Sequence, residues 1–167
     1  MLEREDEYKY EDVDFNIDEY LSRVQAKSDT ARQGILVLPT EHWRQSSVNV
    51  FMPETFDFVK WMRQNSTIDV SINIATVEDI QVAEMRSDNF WFPLAYLFND
   101  ISVQIYLNIV ASYLYDRIKG ALRADQTTVD LELLTEDKKK GRVKRFSYHG
   151  SYEGLKEIIE KMDKFME

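Results

Sequence analysis

The 167-residue chain contains no cysteine and only two histidines, His42 and His149. The first absence removes disulfide frameworks, thiolate zinc sites and cysteine nucleophiles together, and the scarcity of histidine argues against a multi-histidine metal centre. A reducing, cytoplasmic setting is expected. Motifs that announce chemistry are missing as well: there is no Gly-x-Ser-x-Gly, no P-loop, no Rossmann glycine set and no His-Glu-x-x-His, so no metal or cofactor is expected. Neither histidine lies in a recognisable catalytic pattern, and a structural or surface role is the expectation for both.

No apolar run is long enough to cross a bilayer. The best stretch, residues 90–115, is broken by Asn99, Asp100, Gln104 and Asn108. Its longest uncharged piece after Asp100 runs from Ile101 to Tyr115, short of the roughly 20 residues a spanning helix needs. The N-terminus is too acidic and too poor in apolar residues to read as a secretory or transit segment.

What the chain does have is apolar bulk. Hydrophobic residues make up 44% of it, with nine Phe, nine Tyr and three Trp, which suits one globular domain with a substantial core. Thirty acidic against twenty-one basic residues give a formal charge of -9. The excess is concentrated: residues 1–20 hold nine acidic and two basic residues, a net of -7. An acidic segment of this kind repels polyphosphate and favours basic partners or a basic patch of the same molecule, so nucleic acid is not the expected ligand.

Patterning predicts an α+β fold in a single domain over 15–167, preceded by a flexible acidic arm over 1–14. The sheet is expected to be mixed, with about four or five strands and helices packed on it. Asp14 or Asn16 can cap a helix over 18–33 that ends at Gly34. Short strands are predicted at 34–39, at 48–51 and, with period-two alternation, at 69–74. A helix over 53–65 joins the last two as a parallel crossover unit. Thr76 and Asp79 resemble a capping box for a brief helix to about Arg86. From Pro93 to Lys119 the chain can run as one helix, apolar on several sides and therefore buried.

The C-terminal third predicts an antiparallel hairpin with Leu134 opposite Val143 and Glu132 opposite Arg145, its charged turn ending at Gly141. Ser151 then caps an amphipathic helix whose apolar stripe includes Tyr152, Leu155, Ile159 and Met162.

Three groups are candidates for function. Lys138, Lys139, Lys140, Arg142, Lys144 and Arg145 place six cations in eight residues near the hairpin tip, a run that reads first as a solvated, edge-protecting hairpin, next as a surface that docks an acidic partner or is covered by the acidic arm, and last as a nucleic-acid contact. Phe90, Trp91 and Phe92 form either a core anchor or a docking patch. Asp130, Glu132, Glu136 and Lys138 are the catalytic candidates, because carboxylates followed by an acid-x-lysine step suit magnesium-dependent hydrolysis of a phosphodiester. In addition, Asp100, Gln104, Asn108, Ser112 and Asp116 recur every four residues, a row that drifts around its helix and reads best as an exposed edge.

The apolar helix from about Ile101, the runs TVDLELL and RVKRFSYHGS, and the closing YEGLKEIIEKM resemble the small effector-associated adaptor domains of bacterial conflict and defence systems. The resemblance implies a helix, a hairpin and a closing helix, in a non-catalytic module that joins an effector to its sensor. Together with the missing catalytic motifs it sets the functional expectation: a cytoplasmic accessory module that binds a protein partner or its own copies. The alternatives are a small metal-dependent nuclease or other hydrolase built on the carboxylates, and a structural homo-oligomer assembled through the long apolar helix.

Overall fold

The computed structural model describes residues 7–41, 49–65, 70–78, 81–84, 89–98, 101–119, 127–137 and 141–165, with side chains to 162. In chain order these form β1 (Glu7–Val13), α1 (Ile17–Arg23), β2 (Ile35–Leu38), α2 (Thr55–Asn65), β3 (Ile72–Ile74), β4 (Phe90–Leu97), α3 (Val103–Ile118), β5 (Thr128–Asp137), β6 (Arg142–Ser151) and α4 (Tyr152–Phe165). The strands make one mixed sheet in the order β1-β6-β5-β4-β2-β3. Two parallel neighbours, β2 with β3 and β4 with β5, are each connected through a helix, α2 and α3 respectively, as parallel pairing requires.

The sheet's two faces are covered unequally. On the first face α2, α3 and α4 enclose one core in which Phe58, Tyr106, Tyr113 and Leu155 meet Val37, Leu97, Leu133 and Phe146. On the second, α1 contributes Tyr20 and Leu21 to a smaller core with Leu36, Leu38, Tyr96 and Leu134. Because β2 and most of β4 lie between both cores, every residue of β2 is buried, and both strands read as continuous apolar runs instead of alternating. In β5 and β6 the alternation is retained. There the first core covers β5 as far as Leu133 and β6 from Phe146, and the second reaches only Leu134 and Val143, so over most of both strands every second residue is free to be polar.

Capping follows the local chemistry. Asn16 accepts from the Glu19 amide at 3.0 Å, Ser102 from that of Ile105 at 3.1 Å, and Ser151 from that of Gly154 at 3.0 Å, each satisfying a free donor at a helix start. Gly34 sits at φ +66° where β2 enters the sheet, and a Cβ there would lie 2.0 Å from the Ser71 carbonyl oxygen.

Several expectations are corrected. Residues 7–13 are no flexible arm: they pair along their whole length with β6, bringing the strand count to six. The acidic strand finds cations there, with Glu11 opposite Arg145 and Asp12 opposite Lys144. The first helix stops at Arg23 instead of reaching Gly34, because Gln25 turns to φ 60°. Residues 49–51 make only isolated bridges, Thr40 with Val50 and Phe51 with Val82, so the crossover strand before α2 is β2. No helix forms among the described residues of 76–86.

Pro93 does not open a helix. It lies inside β4, where the pairing with β5 shifts between Trp91 and Leu94; a bulge accommodates the missing N–H. An apolar run of this length has no periodicity to separate a doubly covered strand from a buried helix. The hairpin register is two residues off the prediction, with Leu134 opposite Arg145 and Glu136 opposite Val143. This leaves Gly141, at φ +62°, in the connection, where glycine tolerates that conformation. A two-residue slip preserves which side chains share a face.

Candidate functional site

The uncovered part of the second face lies over β1, β6 and the first half of β5. Two transverse rows of the sheet define it. Glu7, His149, Asp130 and Trp91 stand in register across four strands, and Lys9, Ser147, Glu132 and Leu94 form the next row. Cross-strand partners point to the same side of a sheet, so these eight residues share one surface. They line a shallow groove of about 360 Å³, whose margin also includes Thr40 and Met52.

Charged residues are poor strand formers, but they are accepted on a solvated face where opposite charges pair. Two such contacts organise the groove. His149 Nδ1 lies 2.5 Å from Asp130 Oδ1, with the histidine side chain 59% and the aspartate 20% exposed. Arg145 Nε lies 2.6 Å from Glu132 Oε1, a diagonal ion pair between residues predicted to be directly opposite. In the neutral imidazole, a proton on Nδ1 donated to Asp130 leaves Nε2 as an acceptor. Among the described residues, the second Asp130 oxygen and Trp91 Nε1 are buried without hydrogen-bond partners. Among the described residues around the groove, Glu7, Glu11, Asp130 and Glu132 stand against the cations Lys9 and Arg145.

The predicted groups are dispersed. Asp130 and Glu132 line the groove, but each already has a partner, His149 for Asp130 and Arg145 for Glu132. Glu136, on the same face, is about 13 Å beyond Glu132 and about 20 Å beyond Asp130 along the strand at ~3.3 Å per residue. It is hydrogen-bonded to Tyr96, whose phenol is held above its ordinary range by burial first and by the Glu136 charge and hydrogen bond next. Lys138 lies outside the described residues. Among those described, no three His, Asp or Glu residues are placed to hold a metal ion together.

The cation run does not form one surface either. Lys138, Lys139 and Lys140 lie outside the described residues. Arg142 and Lys144 face the helix side, where Arg142 meets Asp12 at 3.3 Å and the Lys144 ammonium stands 5.0 Å from the Tyr10 ring centre. Arg145 faces the open side, because adjacent strand residues alternate. The acidic strand thus covers part of the cationic hairpin, through exposed pairs worth about 0–1 kcal/mol each.

Of the three aromatics, Phe92 is a core residue and not a docking side chain. Phe90 packs on the same core, stacked on Phe92 at 6.4 Å between ring centres. Only Trp91 presents its side chain to the second face, against Val50, Met52 and Ala83. The polar row of α3 is an exposed edge at Asn108, Ser112 and Asp116, and Asp116 accepts from Trp61 Nε1 at 3.0 Å. Asp100 and His42 lie outside the described residues.

Sequence reasoning missed the Asp130–His149 contact. The predicted register set Asp130 opposite Ser147, two residues from its actual partner. Compared with known proteins, the chain matches no family model, no curated sequence and no solved structure.

Proposed function

We propose that the chain is a non-catalytic interaction module that docks a cationic segment of a protein partner in the groove over β5 and β6. The observation that carries this reading is the half-covered sheet: α1 closes one end of the second face, and the other end is a groove with acidic surplus and an aromatic wall. Mixed polar floors of this kind suit extended partner segments, with arginine or lysine meeting Glu7 and the second Asp130 oxygen and apolar side chains meeting Trp91. The long apolar helix turns most of its apolar side chains inward; its outer edge, with Ala111, Tyr115 and Asp116, borders a separate depression of about 510 Å³ against α4 that has no comparable acidic surplus. Tyr106, Leu107, Val110, Tyr113 and Leu114 of α3 are all buried inside the chain. The order α3, β5, β6, α4 follows the adaptor-like resemblance, and a role in joining a bacterial defence effector to its sensor is the setting we propose for this docking.

A specific contact favours a second reading. Asp130 on Nδ1 of His149 is the arrangement in which a carboxylate orients a general base, and a small hydrolase could use it. Ser147 stands two residues away on the same face, but among the described residues no hydrogen bond joins it to His149. The nucleophile–base pair such chemistry needs is unassembled, which ranks this reading second.

The test is isolation of the tagged full chain at native abundance with quantified stoichiometry. Ser147→Arg inserts a long cation into the middle of the groove, whereas Ser112→Arg alters the exposed edge of α3. A near-stoichiometric partner retained by the parent chain and Ser112→Arg, and reduced at least tenfold with Ser147→Arg, is the expected result. A chain that stays alone, or a partner indifferent to Ser147→Arg, overturns the reading. Turnover abolished by His149→Ala in a chain without partners would establish the second one.

A further inference from the structure

We propose that two copies of the chain pair through β1, antiparallel about a twofold axis at Tyr10, joining their sheets edge to edge. β1 is the end strand of the sheet, and among the described residues nothing pairs with its outer edge. That edge offers backbone donors and acceptors over Glu7–Val13, long enough for strand addition. Charges on an edge strand ordinarily oppose such pairing. Here their order favours it.

With the axis at Tyr10, Lys9 of each copy falls opposite Glu11 of the other, giving two symmetric ion pairs on one face. Tyr10 meets its own equivalent on the opposite face, and Tyr8 falls opposite Asp12. Neighbouring registers that keep the two sheet faces continuous are repulsive. An axis at Lys9 sets lysine on lysine and Glu7 on Glu11; an axis at Glu11 sets glutamate on glutamate. Like charges directly opposite destabilise a strand pair and opposite charges stabilise it, so the sequence selects one register, as an isologous interface requires.

The aromatic side agrees. Tyr8, 46% exposed, stacks on Phe146 at 6.3 Å, and Tyr10 meets the same ring edge-on at 6.2 Å. Pairing covers Tyr10 with its equivalent and sets Asp12 of the other copy against Tyr8. The two β6 strands would lie about 14 Å apart, three strand spacings, which leaves room for an α4 of 10–12 Å diameter on each. The interface uses the strand's edge and leaves Ser147 accessible.

The test is sedimentation equilibrium on the full chain at low ionic strength, at up to about 100 µM. The parent chain is expected to be a dimer. Lys9→Glu and Glu11→Lys each replace two attractions by two repulsions and are expected to weaken it about 10- to 30-fold. The double exchange, Lys9→Glu with Glu11→Lys, restores both pairs with reversed polarity and should return the affinity to within about threefold. Ser147→Arg should leave the dimer intact, separating this interface from the groove. A monomeric parent chain, single variants that dimerise normally, or a double variant as weak as the singles overturns the proposal. Melting curves of all five proteins confirm that they are folded.

Discussion

Replacing Gly34 by alanine is expected to cost at least about 4 kcal/mol of stability, a large share of the 5–15 kcal/mol typical of a domain. Two penalties add. The residue sits at φ +66°, a conformation that costs an L side chain about 1–2 kcal/mol. The added Cβ would also meet the Ser71 carbonyl oxygen at 2.0 Å, so β2 and the segment entering β3 must separate. That displacement strains two ladder bonds, the Ile35 amide to Ser71 at 2.9 Å and the Phe98 amide to Gly34 at 3.0 Å. Gly141 is the control: φ is +62° but nothing lies within 4 Å of its Cβ position, so Gly141→Ala carries the conformational cost alone. In thermal unfolding, Gly34→Ala should lower Tm by 10 °C or more and Gly141→Ala by about 2–8 °C, at ~2–4 °C per kcal/mol for this size. Equal losses would contradict the close approach of β2 and β3.

Alkaline pH should unfold the chain abruptly. Tyr20, Tyr96, Tyr106 and Tyr113 are 5%, 2%, 0% and 1% exposed, and all four phenols are pushed above the ordinary value of 10.0, with burial the leading cause in each. Nearby carboxylates reinforce it: Glu41 for Tyr20, Glu136 for Tyr96 and Glu54 for Tyr113. Folding therefore favours the neutral phenol. The contribution is fully present below the unfolded pKa and is lost as pH rises above it, at about 1.4 kcal/mol per pH unit for each group. Four such groups remove about 5–6 kcal/mol by a pH of about 11, comparable with the whole stability. Tyrosinate absorbance and far-ultraviolet circular dichroism should change together in one cooperative step. Gradual ionisation of all nine tyrosines with the dichroism unchanged would contradict the burial of these four.

Much of the architecture is legible in local pattern. The mixed α+β class, the Ile35–Leu38 strand stopped by Pro39, the helix after Pro53 and the hairpin with its closing helix all follow from periodicity and punctuation. What escaped depends on tertiary cover. Glu7–Val13 reads as a solvated arm because its charges find Arg142, Lys144 and Arg145 only once β6 is beside it. Phe90–Leu97 reads as the start of a helix because two cores erase its alternation, and Pro93 is admitted by a bulge that pattern does not reveal. The groove residues of β5 and β6 alternate with the core positions Val129, Leu131, Phe146 and Tyr148. Which of them touch was hidden by a register that the turn, through Gly141, decides.

The same alternation carries the account's main claim, that the second face of the sheet is open over β5 and β6. Because the chain has no cysteine, one introduced thiol reports local exposure directly. Ser147→Cys, in the groove, should react with a small maleimide within about tenfold of a free thiol's rate, governed by its access to solvent. Ala95→Cys, on the covered side of β4 with 0% exposure, should react at least a hundredfold more slowly, only through opening of the core. Protection of Ser147→Cys as deep as that of Ala95→Cys in the isolated chain would mean that the face is closed and the groove does not exist.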